Sequence, residues 1–287
     1  MRCALISLLA VACDSSVGPV SPARVVERSA EPAPAPPSPC PLEKSSLGPG
    51  LTAERHVLAA TPAAGAPCLD VVRADLAHYR LRLLSSARDG GSHPAPAWRE
   101  VFHLVAVINA GMFHSNGTPV GLVVEDGNPL SADNKKYGGY LAFSPRSAAD
   151  APAIVAGRDC DGFDLADLRK RYRSIVQSSR FLGCAGEPLS WQDKKQYSAA
   201  AIGVDRKGRV VFLHARAAVT MTELAQTLAT LDLAGAIFLE GGPEASLVVH
   251  GSEGELSRIG SYETGFVEND ANQSFWWLPN VIALEVR

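Results

Sequence analysis

Ala236-Ile237-Phe238-Leu239-Glu240-Gly241-Gly242-Pro243-Glu244-Ala245-Ser246-Leu247 is the stretch on which the reading of this chain turns. Four apolar residues without polar alternation predict a short strand covered on both faces, because alternation would put every second side chain in water. Glu240 stands at the exit of that strand. The Gly-Gly pair behind it permits φ > 0 or the close approach of a ligand, and Pro243 stops the strand from running on. A carboxylate this near an apolar segment loses hydration, which raises its pKa unless Arg or Lys answers it, and that tension is typical of acid/base sites. The same segment also reads as an ordinary turn with a solvated Glu.

Upstream, Thr220-Met221-Thr222-Glu223 is a capping box. Leu224, Ala225, Leu228 and Leu231 follow on one helical face, with Gly235 as the expected stop. A second helix is predicted from an Asp164 N-cap to Tyr172. Strands are predicted at Leu69 to Ala74, Tyr79 to Leu84, Phe102 to Ile108 and Val281 to Val286. Tyr79, Leu81 and Leu83 alternate with Arg80 and Arg82, which implies one wet face. Hairpins are expected around Asp126-Gly127 and around Asp205-Arg206-Lys207-Gly208. The fold class is α+β: mixed, strand-rich central sheets flanked by a few helices in a single domain.

The 287 residues are 46% hydrophobic and 20% charged, enough for one sizeable core. A net charge of −3 argues against a nucleic-acid partner held by phosphate neutralisation. Residues 1–12 carry one positive charge and then a short apolar run, which reads as an export signal. Ala10-Val11-Ala12-Cys13 resembles a lipobox, so Cys13 is expected to bear a lipid and anchor the protein on the periplasmic side of a membrane. Cleavage after the Ala-Val-Ala triplet without lipidation is the alternative. Residues 13–50, with Ala-Glu-Pro-Ala-Pro-Ala-Pro-Pro-Ser-Pro, are expected to be a tether, and residues 51–287 the folded domain. Cys40, Cys68, Cys160 and Cys184 remain as an even set in an oxidising compartment. Three connectivities are open, and Cys40 with Cys68 and Cys160 with Cys184 is favoured for its short loops.

A second strand end resembles the first: Val107-Ile108-Asn109-Ala110-Gly111-Met112-Phe113-His114, then Gly117, Pro119 and Gly121. Together the two suggest a shared crevice lined by Asn109 and Glu240. There is no G-x-S-x-G, H-E-x-x-H, Walker or G-x-G-x-x-G motif, and the histidines are scattered, so neither a metal site nor a cofactor is expected.

The ordered set Asn109-Ala110-Gly111-Met112-Phe113, Pro119-Val120-Gly121-Leu122, Gln177-Ser178-Ser179-Arg180, Ala201-Ile202-Gly203-Val204-Asp205, Leu239-Glu240-Gly241-Gly242 with Ser246, and Pro279-Asn280-Val281 resembles the phosphodiester glycosidase family over about residues 65–287. Where many members carry Asp-Gly-Gly-Gly-Ser-Ser, this chain has Glu240-Gly241-Gly242-Pro243-Glu244-Ala245-Ser246. The resemblance implies hydrolysis of the bond between a sugar's anomeric carbon and a phosphodiester oxygen, on a sugar-phosphate or related carbohydrate substrate. It implies catalytic roles for Glu240, for Arg180 as the answer to the leaving phosphate, and for Asn109 as an orienting amide. Glu244, Asp205, Glu263 and Asp270 compete to be the second carboxylate. Ser246, Gly111, His114, Gly121, Gly241, Gly242 and Asn269 complete the expected substrate-binding set.

Several of these residues have a plain structural reading as well. Asp205 also reads as the start of its hairpin turn, and His114 as a loop residue. Lys135-Lys136 and Lys194-Lys195 read as solvated faces able to steer an anion. Ser261 to Asp270 with Phe275-Trp276-Trp277 reads either as a carbohydrate subsite or as packing for the last strand. The reading from a different class is a non-catalytic glycan-binding or structural envelope lipoprotein with the same fold.

Overall fold

The computed structural model describes Cys40, residues 44–263 and residues 270–287. The expected signal, Cys13, most of the tether and Asn269 lie outside the described residues.

Three large antiparallel sheets organise the described chain, beside a two-stranded pair of His93–Pro94 and Trp277–Leu278. A six-stranded sheet runs in the order Lys44–Gly48, Leu51–Val57, Cys68–Ala74, Val210–Val219, Tyr197–Asp205, Leu233–Gly241. One five-stranded sheet orders Ala153–Gly157, Gly139–Pro145, Tyr172–Ser178, Val123–Glu125 and Asn128–Pro129. The other orders Glu255–Ile259, Ser246–His250, Ala106–Asn109, Asn280–Val286 and Tyr79–Ser85. The class is α+β, weighted heavily to β.

One hydrophobic core is shared by all three sheets. Val72, Phe212, Ile202 and Ile237 enter it from the first, Leu141, Phe143 and Val176 from the second, and Ile108, Leu247 and Ile282 from the third. Helices close the outer faces. Helix α1, Ala95–Val101, buries Trp98 against Leu84, Val107 and Val281. Helix α2, Leu165–Arg171, seats Leu168 against Tyr140, Tyr172 and Ile175. Helix α3, Met221–Leu228, packs Leu224, Ala225 and Leu228 on Val71, Leu213 and Phe238. The Leu233–Gly241 strand is therefore covered on both sides, which is why its sequence shows no alternation.

Both helix starts follow the local signals. Asp164 accepts from the Ala166 and Asp167 amides, and Thr220 and Glu223 form the reciprocal capping box. Each such cap contributes on the order of 1 kcal/mol. The disulfides join Cys40 to Cys68 and Cys160 to Cys184, the favoured pairing.

The structure departs from the sequence reading in four places. The run from Phe102 is not strand throughout: α1 ends at Val101, Phe102 stacks on Trp98 at 5.4 Å, and the strand spans only Ala106–Asn109. Its apolar residues serve helix packing as well as a sheet. Helix α3 stops at Leu228, with Leu231 buried in the following turn and Asp232 at φ 54° before the strand begins at Leu233. Gly235 thus lies inside the strand, where a Cβ would come within 2.9 Å of Val155, so it serves close sheet packing rather than helix termination. The expected hairpin around Asp126-Gly127 is shorter than its apolar run, with paired residues only at Val123–Glu125 and Asn128–Pro129. The tether ends earlier than residue 50, because Lys44–Gly48 pairs with Leu51–Val57 as a sheet edge.

Candidate active site

Glu240 owes its position to a β-bulge. Ala200 pairs with Glu240 and Ala201 with Phe238, so Leu239 is the extra residue. In a regular strand Glu240 would share a face with Phe238 and point toward α3. The bulge moves it to the face of Ala200, which belongs to the central core, and bulges commonly re-aim a side chain in this way. Its carboxylate accepts the Gly241 amide at 3.0 Å, and the nearby Phe113 amide favours its ionised form. The two strand ends singled out in the sequence therefore meet: Asn109 accepts the Ser246 amide just beyond the Glu240 turn, and Phe113 comes near the Glu240 carboxylate.

Two more carboxylates share this surface. Glu244 lies in the 3-10 turn Gly242–Glu244, and Glu263 packs its Cβ methylene 3.0 Å from where a Gly242 Cβ would stand. Gly242 itself has φ +67°, a conformation that favours glycine. At Gly241 a Cβ would come within 2.4 Å of the Tyr197 ring, so that ring lies directly over the backbone. Burial pushes the Glu240 carboxyl up to about 8, with Glu244 and Glu263 adding repulsion against the opposing pull of the Gly241 and Phe113 amides. Burial likewise pushes Glu244 up to about 7, with Glu263 adding to it. Glu263 is also raised by burial, while Lys195 draws it down. Two of these acids, Glu240 and Glu244, therefore hold protons near neutrality, the condition general acid/base chemistry requires.

Asn109 is 1% exposed and ties the two strand ends together, its Oδ1 accepting the Ser246 amide at 3.1 Å. Asn109 Nδ2, Ser246 Oγ and Ser178 Oγ are buried without hydrogen-bond partners among the described residues. Ser178 belongs with this group by register: Arg180 bridges Ile237 and the Phe238 amide donates to Ser179, which sets Ser178 beside Leu239. On the same face of the sheet, His214 lines up with Ala200 and Glu240 across the strands. Its Nε2 lies 3.1 Å from the Ala245 carbonyl, and burial holds its pKa down at about 4, so the ring is neutral and braces the Glu244–Ser246 turn.

The other expected residues fall elsewhere. Arg180 is buried, but its guanidinium is paired with Asp159 and rests on the Cys160 and Cys184 sulfurs at 3.0 and 3.6 Å. It lines a separate groove of about 270 Å³ with α2 and that disulfide. Asp159, Cys160 and Cys184 are the one group among the described residues with metal-ligand proximity, and the disulfide ties up both sulfurs. Asp205 sits at the far end of its strand, opposite Leu233, with one oxygen on Arg73 and Arg209 and the other on the Lys207 and Arg209 amides. That is its hairpin role. Asp270 is exposed and paired with Arg216 at 2.7 Å. His114 is exposed in a turn closed by its amide bond to Thr118. Gly121 stands where a Cβ would meet the Gln177 carbonyl at 2.7 Å, and Gly111, at φ +83°, turns the chain after Asn109.

Tyr197, Ser178 and the bulge at Leu239 escaped the sequence reading. Tyr197 directly precedes the run of small residues Ser198–Ala201, and Ser178 lies in a quoted motif, so both had signals. A bulge has none without the partner strand.

Comparison with known proteins adds the family. A model described as phosphodiester glycosidase matches residues 102–285. Among solved structures, the zebrafish N-acetylglucosamine-1-phosphodiester alpha-N-acetylglucosaminidase catalytic domain, auto-inhibited by its pro-peptide, aligns with TM-score 0.62 at 14% identity, covering 85% of this chain and 88% of that one. A hypothetical protein from Synechocystis aligns with TM-score 0.58 at 15% identity, covering 83% of this chain and 62% of that one. No curated protein matches the chain by sequence.

Proposed function

Since the chain belongs to the phosphodiester glycosidase family, we propose that it hydrolyses the bond between the anomeric carbon of a sugar and a phosphodiester oxygen. The observation that carries this reading is the meeting of the Asn109 and Glu240 strand ends in one site with three carboxylates, two of them raised toward neutrality. Water adds to the anomeric carbon as the carbon–oxygen bond to phosphate breaks, and the phosphate monoester leaves with the bonding electrons. A phosphate needs little protonation to depart, so the demand falls on the carbon and the water.

Glu240, its carboxylate accepting the Gly241 amide, faces the anomeric carbon and in its ionised form takes the proton from water, so turnover rises as pH climbs toward about 8. Glu244, raised to about 7, is part-protonated at neutral pH, which limits the negative charge beside an anionic substrate. Asn109 and Ser246 orient sugar hydroxyls, with Asn109 fixed by the Ser246 amide. Arg180 acts as a positioning residue behind the Ile237–Glu240 segment, since its charge is already met by Asp159.

The zebrafish protein is named for an N-acetylglucosamine 1-phosphodiester, so N-acetylglucosamine 1-(methyl phosphate) is the first substrate to try. Hydrolysis in water enriched in heavy oxygen separates the readings: label in the sugar supports cleavage at carbon, and label only in phosphate overturns it. Absence of turnover across a panel of sugar 1-phosphodiesters favours the glycan-binding alternative. Export and lipidation at Cys13 belong to the same proposal, supported by two disulfides that suit an oxidising compartment.

A further inference from the structure

At Glu263 lies a groove of about 590 Å³ whose walls include Ala64, Asp193, Lys194, Lys195, Ala218 and Tyr262. That volume suits a small-molecule ligand, for which pockets run ~300–1,000 Å³. Glu263 forms part of its wall and also packs on Gly242, two residues from Glu240, so Glu263 links the groove to the other two acids. Among the described residues neither Lys194 nor Lys195 has a salt-bridge partner, and both are exposed. The Lys195 ammonium acts on the Glu263 carboxyl.

A phosphodiester carries one negative charge, and whatever part of the three acids is ionised repels it unless a cation stands close. Arg180 does not supply that cation, because Asp159 and the disulfide already occupy its guanidinium. We propose that the groove is the subsite for the phosphate and its alcohol substituent, with Lys195 as the counter-charge and Lys194 beside it; the assignment rests on the hydrolase reading above. A lysine ammonium binds phosphate as a point charge on a flexible stem, which tolerates varied substituents. The apolar side of the groove, Ala64, Ala218 and the Tyr262 ring, is left for the alcohol portion.

The test measures binding apart from turnover. The probe is a non-hydrolysable C-glycosyl phosphonate monomethyl ester of N-acetylglucosamine, titrated calorimetrically against the full chain beside neutral methyl N-acetylglucosaminide. Lys195→Ala is expected to weaken the phosphonate about tenfold more than the neutral glycoside, Lys195→Arg to retain it, and salt to weaken the wild type more than Lys195→Ala. The subsite is overturned if wild type does not prefer the phosphonate, or if Lys195→Ala and the Lys194→Ala/Lys195→Ala double variant match wild type in discriminating the two probes. Turnover of the phosphodiester by wild type is scored separately. Binding without turnover retires the hydrolase and keeps the anion subsite, whereas turnover with unaffected lysine variants keeps the hydrolase and retires the subsite.

Discussion

Glu240 illustrates how a single residue is shaped by what surrounds it. Its carboxyl titrates near 8 because burial and two neighbouring acids oppose ionisation more than two amides favour it. The sign for stability follows directly. Between the ordinary carboxyl range and about 8 the folded chain keeps a proton that the unfolded chain releases, so stability falls as pH rises through that window. Glu240→Gln removes the ionising group. It is therefore expected to lower kcat on a sugar 1-phosphodiester at least about 100-fold, the usual scale for a lost acid/base group. The same variant should melt higher than wild type at pH 8 to 9 and level with it near pH 5. A rate profile with full activity in Glu240→Gln would remove this residue from the mechanism, whatever its melting behaviour. Asn109→Ala should instead destabilise by about 1–3 kcal/mol, since the Ser246 amide would be left buried and unpaired. Denaturant titration reads that loss directly.

Among the elements, legibility tracked how local the cause was. The caps at Asp164 and Thr220 depend on residues within one turn, and both were readable. The Leu233–Gly241 strand announced itself by an unbroken apolar run, since both its faces are covered. The two strand ends were readable as a pair because small residues follow Asn109 and Glu240. The direction in which Glu240 points was not, because it comes from the pairing of Ala200 and Ala201 with a strand that has one residue too many. Arg180 was misjudged for a similar reason: nothing near it in sequence reveals that Asp159, from another strand's exit, takes its charge. Gly241 supports a prediction at this scale. Gly241→Ala places a methyl within 2.4 Å of the Tyr197 ring, so either the ring or the bulge must shift. Turnover should fall more than stability. The ratio of lost kcat/KM to lost unfolding free energy checks this, and a variant with normal kcat/KM would mean that the bulge does not govern Glu240. Thr220→Ala is the control, expected to cost about 1 kcal/mol of stability with kinetics unchanged.

For the whole molecule, the arrangement of three sheets around one core makes the site a junction. Asn109 and Ser246 come from one sheet, Glu240 from a second, and Ser178 from a third. No single sheet carries the chemistry, so the site depends on how the sheets are held. The Cys160–Cys184 disulfide bears on that junction. It fixes the exit of the Ala153–Gly157 strand near the segment after Tyr172–Ser178, and Arg180 rests on its sulfurs while bridging Ile237. Cys40–Cys68 instead fastens the chain's entry at the outer part of the six-stranded sheet. Removing either crosslink should lower stability by about 2–4 kcal/mol, because each frees the unfolded chain to a similar degree. Their effects on activity should differ. With Cys160→Ala/Cys184→Ala, Arg180 loses its footing beside the Glu240 strand, and kcat should drop well beyond what the melting temperature explains. With Cys40→Ala/Cys68→Ala, kcat measured below the melting transition should stay near wild type. Equal kinetics in the two double variants would show that the sheet junction tolerates loss of the inner crosslink, and would confine Arg180 to packing.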